Sequence, residues 1–379
     1  MNETGTASSF ADEQHESVSH EGWEAVVLQL CLFSLIAVVG FVANVLVLVA
    51  ASQLRRQRNL RSPRSTYYII NLAVADLAII LLALPTDLIP YFSSWPFGEF
   101  ACRFLFPLRD VFVFVAIMTI TGLSIERYWV ITGTFKTKPN PKNARVIIVI
   151  IWIIGYLVAG LPMVFTMKLV RENDRIVVCD TMWRTQTEKR VHMLLGIACI
   201  VLPSCIITFC YVRIAKSLQR LQTRRSSEVS IEGRPTSSVI SLVAQSKKVA
   251  KMLVIIVIAF CCCVLPYTIF ALVVEFGTLG TSNDNIVLHS VIYAIVISLF
   301  FAHSAVNPLI LVMMSKEYRM EVQRIARAVK EVCWKADVRA FFARLAAQKE
   351  YRQHRKASDN RDQLVHDPEG EPQQKSTEL

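Results

Sequence analysis

Apolar residues gather into seven continuous blocks, near 25–51, 66–91, 101–132, 146–167, 191–213, 249–275 and 286–313, divided by polar or charged stretches. Each is about twenty residues or longer, enough for a helix to cross a hydrocarbon core of ~30 Å. Spanning strands would alternate over segments of about ten residues, so a β-barrel is excluded. The pattern predicts an all-α membrane protein, a seven-transmembrane helix bundle. Between spans four and five, Met167-Lys168-Leu169-Val170-Arg171 and Arg175-Ile176-Val177-Val178-Cys179 flank Glu172-Asn173-Asp174, which predicts a β-hairpin. After span seven, Tyr318, Val322, Ile325, Val329 and Val332 recur at helical spacing among basic residues. That pattern predicts an amphipathic helix on the membrane surface, set at 316–352, with Cys333 as a candidate lipid anchor.

Composition agrees: 53% of the 379 residues are hydrophobic, 19% are charged and mean hydropathy is +0.42. A water-soluble enzyme is excluded by that excess. The segments following spans one, three, five and seven hold 5, 4, 9 and 14 basic residues, 32 of the 41 in the chain, and none precedes Arg55. Basic loops stay in the cytoplasm, so the amino terminus is expected outside a plasma membrane. The net charge of +11 then faces anionic lipid and not nucleic acid. The expected divisions are an acidic extracellular tail at 1–24, the bundle at 25–315, the basic helix at 316–352 and a disordered tail at 353–379. Residues 214–247 are expected to form a disordered inner loop. Asn2-Glu3-Thr4 is a glycosylation sequon.

Of the ten cysteines, only Cys102 and Cys179 fall outside, one heading span three and the other in the hairpin, where an oxidising exterior lets them pair. Ionisable and polar groups within the spans are costly and are functional candidates by default. Asn44, Asp76 and Asn307 lie in the inner halves of spans one, two and seven and can share one network with Ser304. Glu126-Arg127-Tyr128 ends span three, where an arginine can be held by a carboxylate in one state and released to a partner in another. Pro85, Pro162, Pro203, Pro266 and Pro308 mark helices that can kink.

In this order and spacing the residues resemble the rhodopsin-like (class A) family of G-protein-coupled receptors. The likeness rests on Asn44, Asn71-Leu72-Ala73-Val74-Ala75-Asp76, Trp95, Cys102 with Arg127, Trp152, Pro203 with Tyr211, Phe260 with Pro266, and Asn307-Pro308, and it covers about 25–328. It implies that Arg127, with Glu126, Tyr128, Phe135 and Tyr211, serves G-protein coupling. It also implies a sodium pocket at Asp76, and a relay through Ile117, Pro203, Phe260, Pro266 and Pro308 that moves span six outward. Heterotrimeric G protein, arrestin and receptor kinases are the implied partners; no cofactor and no catalysis are implied. The chain departs from the family in carrying Val264 where Trp is usual and Leu311 where Tyr is usual. Span six also begins with Ser246 and Lys247 and no acid to hold Arg127. Raised basal signalling is the expectation.

Aligned on Arg127, Arg109 takes the place where amine receptors carry an acid, with Asp110 beside it. Span seven lacks a lysine, which excludes a retinal Schiff base. Asp87, Arg109, Asp110, His192, Tyr267 and Tyr293 are the candidate ligand residues, and a mixture of charges and aromatics beneath a stapled loop suits a peptide. The loop is similar to that of peptide receptors of the galanin and allatostatin kind. A non-peptide ligand is the alternative. A transporter would show an internal repeat, and an intramembrane enzyme a protease or metal signature; neither is present. Arg224-Arg225-Ser226-Ser227 resembles a kinase site in a flexible loop, and Thr377-Glu378-Leu379 a PDZ ligand.

Overall fold

The computed structural model describes residues 6–56, 63–92, 95–132, 141–173, 176–228, 237–276, 286–332 and 334. Among them, seven helices are long and apolar enough to cross a membrane: Trp23–Arg56, Ser65–Ile89, Gly98–Thr132, Asn143–Thr166, Gln186–Ser217, Val254–Phe276 and Leu288–Met314. They coincide with the seven apolar blocks to within a few residues. The chain divides into two compact units, Met1–Val322 and Gln323–Leu379, the first holding every span.

Helices run further than apolar character alone suggests. The first extends back to Thr6, through the segment read as an acidic tail, because Ala, Glu and Gln favour helix and elongation from an existing helix needs no new nucleus. The inner loop expected to be disordered is largely helical. The fifth helix continues to Glu228 and the sixth starts at Ser237, since Lys, Arg, Gln and Leu propagate a helix as well as apolar residues do. Arg224-Arg225-Ser226-Ser227 therefore lies on a helix and not in a flexible loop.

Two turns are wider than α-helical, at Ile79–Ala83 in span two and Tyr156–Gly160 in span four. Each contains the residue four before a proline, Leu81 before Pro85 and Val158 before Pro162, whose carbonyl loses its donor. The inserted residue turns everything beyond it by about 100° relative to a regular helix. Asp87 lies beyond the first of these turns and Asp76 before it.

The predicted hairpin forms from β1, Met167–Asn173, and β2, Ile176–Thr181, paired antiparallel with Leu169 opposite Cys179 and an irregularity between Arg171 and Asn173. Cys102 and Cys179 are joined as a disulfide, which pins β2 to the head of span three. Around it pack Trp95, Ala101, Met163 and Met167. Trp95 donates from Nε1 to the carbonyl of Gly98, whose φ of +71° requires a residue without a side chain.

Residues 316–332 are helical, as the pattern predicts, and residues 335–352 of the expected helix lie outside the described residues. Its first turn belongs to the bundle unit: Tyr318 is buried and hydrogen-bonded with the Thr66 side chain. Burial pushes its phenol above the ordinary range and the Thr66 bond pulls the other way. In the second unit Arg327 Nε donates to the Gln323 carbonyl over 3.3 Å.

Candidate functional site

A cavity of about 560 Å³ opens between spans three, four, five, six and seven beneath the hairpin. Its walls are chiefly apolar, with Phe114, Met163 and Phe270 prominent and Ile117 among its deeper lining residues. Of the six candidate ligand residues, Arg109, Asp110, His192, Tyr267 and Tyr293 line it and Asp87 does not.

Asp87 acts from behind. Its Oδ1 accepts from Arg109 Nη1 over 3.2 Å, while Arg109 Nε donates to Asp110 Oδ1 over 3.2 Å. The Asp87 side chain is 5% exposed and that of Asp110 30%, so one carboxylate is committed to the arginine while the other still faces the cavity. The Arg109 guanidinium also lies 5.5 Å from the centre of the Phe106 ring, a cation–π contact. A half-buried guanidinium between two carboxylates is held by opposite charge from both sides, which fixes its position more firmly than its own rotamers would. At the outer rim Glu275 of span six pairs with Lys189 and Arg190 of span five at 2.6 and 3.3 Å.

Several lining groups were not singled out from the sequence: Trp183 stood only among the outer aromatics, and Phe270 and His289 were not read as ligand residues. Trp183 stacks obliquely on His192 with ring centroids 5.1 Å apart, and Phe270 sits 4.9 Å from His289 and 6.1 Å from Tyr293. The four-residue spacing of His289 and Tyr293 is the signal that places both on one face of span seven.

Below the cavity lies the polar group of spans one, two and seven. Asn44 Nδ2 donates to the carbonyls of Gly40 and Ser304 over 2.9 and 2.8 Å, and Asn307 Nδ2 reaches both oxygens of Asp76 over 3.5 and 3.3 Å. Ser304 Oγ turns back to its own helix at the Phe301 carbonyl. All four residues are at most 2% exposed. Asn44 Oδ1 and Asn307 Oδ1 are buried with no hydrogen-bond partner among the described residues. Carbonyl and carboxylate oxygens of this kind suit a hard monovalent cation.

At the inner end Ser65 donates to Glu126 Oε1 over 3.2 Å, so the acid is drawn toward span two. The Arg127 Nε atom is buried without a hydrogen-bond partner among the described residues. The hydroxyls of Tyr211 and Ser124 meet at 3.1 Å, and Tyr128 lies 6.4 Å from the Phe209 ring. Of the relay residues, Ile117 and Phe260 are fully buried and Pro203 and Pro308 are buried, whereas Pro266 is half-buried. Val264 and Leu311 are packed into the interior as apolar residues. Asn2, Phe135, Cys333 and Thr377 to Leu379 lie outside the described residues.

Comparison with known proteins gives a consistent result. The family described as 7 transmembrane receptor (rhodopsin family) matches residues 43–311. The galanin receptor 2a of Danio rerio is 25% identical over 314 residues, covering 82% of this chain and 81% of that receptor. A QRFP-like peptide receptor of Branchiostoma floridae is 26% identical, covering 80% and 78%. The urotensin-2 receptor of Bos taurus is 30% identical over 299 residues, covering 77% and 71%.

Proposed function

The chain belongs to the rhodopsin family of seven-transmembrane receptors, and from that premise we propose that it is activated by an extracellular peptide and signals through heterotrimeric G proteins. It is a multi-pass receptor of the plasma membrane and not an enzyme. The carrying observation is the cavity: charged at Arg109 and Asp110, walled by aromatic rings, roofed by a disulfide-pinned hairpin and lined by Ile117 in its deeper part. Rigid aromatic anchors beside a few fixed charges are what a peptide end needs to be gripped and oriented. Its relatives carry the names of peptide receptors.

The amino terminus lies outside in this reading, which puts the disulfide in an oxidising space and the basic segments in the cytoplasm. Agonist favours the conformation whose inner face is open, and the shift carries span six outward. Arg127 then leaves its buried place and meets the G protein. Asp76, with the unpartnered oxygens of Asn307 and Asn44, would hold a sodium ion, which supplies positive charge beside a buried carboxylate. Asn307 keeps both Asp76 oxygens on span seven, so the polar group resists separation of spans two and seven.

The test is G-protein activation, across the Gα classes, in cells expressing the chain and exposed to a broad peptide library. The control is Arg127→Ala at equal surface amount. A response that the control abolishes is expected. Silence toward every peptide, with ligand-free activity no higher than the control, overturns the peptide reading and favours a non-peptide ligand.

A further inference from the structure

Val264 leaves span six without a ring two residues before Pro266, and it is fully buried. Span seven brings rings to the same level. Tyr267 and Phe300, both lining the cavity, have centroids 5.0 Å apart; Phe300 and His303 are separated by 6.0 Å, and His303 and Phe260 by 5.1 Å. Four rings thus run from the cavity wall into the middle of the bundle, passing from span six to span seven and back. Phe300 is 6% exposed, and His303 and Phe260 are fully buried.

His303 is an unexpected choice for such a place. Its Nδ1 is hydrogen-bonded to the Phe300 carbonyl, which only accepts, so Nδ1 carries the proton and Nε2 is a bare nitrogen. That Nε2 is buried with no partner among the described residues. A leucine would fill the same space without burying a polar nitrogen but would bring no ring to Phe260, so what the position supplies beyond apolar filling is the ring. One helical turn further on, and therefore on the same face, stands Asn307, the donor to Asp76. His303 meets the span-six relay at Phe260 and is tied by its helix to the polar group below.

We propose that His303 is the positioning residue that couples cavity to span six in this receptor, its ring holding Phe260, and span six with it, against span seven in the resting state. It does so beside Val264, the position where span six itself carries no ring. The inference rests on the receptor reading above, because it assumes that outward movement of span six is the signalling step. Removing the ring takes away one edge-to-face aromatic contact between spans six and seven; because outward movement of span six would part these rings, its loss shifts the closed–open equilibrium toward open.

The experiment measures ligand-free recruitment of minimal Gα proteins of each class to the full-length receptor, at matched surface amounts. Variants are His303→Leu, His303→Phe, Phe260→Leu and the double His303→Leu with Phe260→Leu, each with and without Arg127→Ala. His303→Leu is expected to raise recruitment about three- to tenfold, the factor that loss of one aromatic pair produces. His303→Phe, which keeps a ring, is expected to stay within about twofold of the unmodified chain, a change smaller than one such pair. Phe260→Leu removes the same contact from the other side and is expected to match His303→Leu, the double variant rising no further. It also decides the matter if His303→Leu fails to reach the surface. A leucine variant that behaves as the unmodified chain overturns the inference; so does a phenylalanine variant that rises as far as leucine, since the Phe300 hydrogen bond would then be the active element. The Arg127→Ala control separates two failures. Unchanged recruitment in the leucine variants, with the unmodified chain still above that control, removes this inference alone. Recruitment at the control level in every variant removes the receptor reading with it.

Discussion

Span three and span six face each other across the cavity, yet they are held in different ways. In their most apolar stretches, 61% of span three is buried within the protein, against 28% of span six and 17% of neighbouring span five. Lipid tails are as apolar as a protein core, so burial by itself does not bind one membrane helix to another; close packing and hydrogen bonds do. Span three has both. Thr119 accepts from Asn71 of span two, which in turn accepts from Trp152 of span four, and the disulfide ties the head of span three to the hairpin. Toward span five, span six has a weak 3.6 Å contact of Cys261 with Ser204 and the rim pair at Glu275, and its close packing is on one side only, where Phe260, Tyr267 and Phe270 meet rings of span seven. The difference separates a frame tied on several sides from a wall held chiefly against span seven and only loosely against span five.

The frame should be costly to break and the swinging wall cheap to alter. The largest expected effect is at the staple. Cys102→Ser or Cys179→Ser opens a link between positions 77 residues apart and should lower stability by about 4 kcal/mol, read as a fall in thermal midpoint of the solubilised receptor and in surface yield. A midpoint equal to the unmodified chain would mean that packing at Trp95 and Met163 holds the hairpin unaided. Next comes Asp87→Asn, which leaves the half-buried Arg109 with one carboxylate and should lose about 3 kcal/mol. Its counterpart on the loose wall is Lys189→Gln. That side chain is 41% exposed, and removing it should leave the midpoint unchanged within error. Equal effects from the two would erase the distinction between the walls.

Much of this frame was legible in the sequence, for reasons that differ from part to part. Length and continuity fix the seven spans, alternation fixes the hairpin, and the side of the membrane leaves Cys102 and Cys179 as the one extracellular pair. The Arg109 ion group was only half legible. Both acids stood among the candidates and Pro85 marked a helix that can kink, but a proline does not say that the irregularity is a wide turn at Ile79–Ala83, which rotates Asp87 and places that acid behind the cavity and not in it. The polar group of Asn44, Asp76, Ser304 and Asn307 was placed by depth alone, whereas which amide reaches which oxygen depends on packing. His303 was not read as part of the relay, because the role proposed for it depends on rings that packing brings to it, above all Phe260, 43 positions away on span six. Helix lengths at 6–24 and 214–228 were underestimated because hydropathy was used to end them, and polar residues with straight side chains propagate a helix without being apolar.

Two glycines give the comparison its finest test. A Cβ at Gly40 of span one would stand 2.6 Å from the Ile80 side chain and 3.2 and 3.3 Å from Cβ and Cα of Ala305, pressed between spans two and seven. The isoleucine tip can yield but the Ala305 backbone cannot, so Gly40→Ala should cost about 1–3 kcal/mol by overpacking. At Gly196 of span five the same atom meets nothing within 4 Å, and the position lines the cavity. Gly196→Ala should therefore raise the thermal midpoint, by up to the ~1 kcal/mol that separates the two residues in a helix. Because its methyl group enters cavity space, a responding peptide should bind it with altered affinity while Gly40→Ala leaves affinity unchanged in whatever fraction folds. Opposite signs in stability, with an affinity change at Gly196 alone, would show that the loose wall is loose because it is built around the space that a ligand fills. A loss of stability at Gly196 as large as at Gly40 would mean that span five is packed as tightly as the frame and that the cavity is closed in the resting receptor.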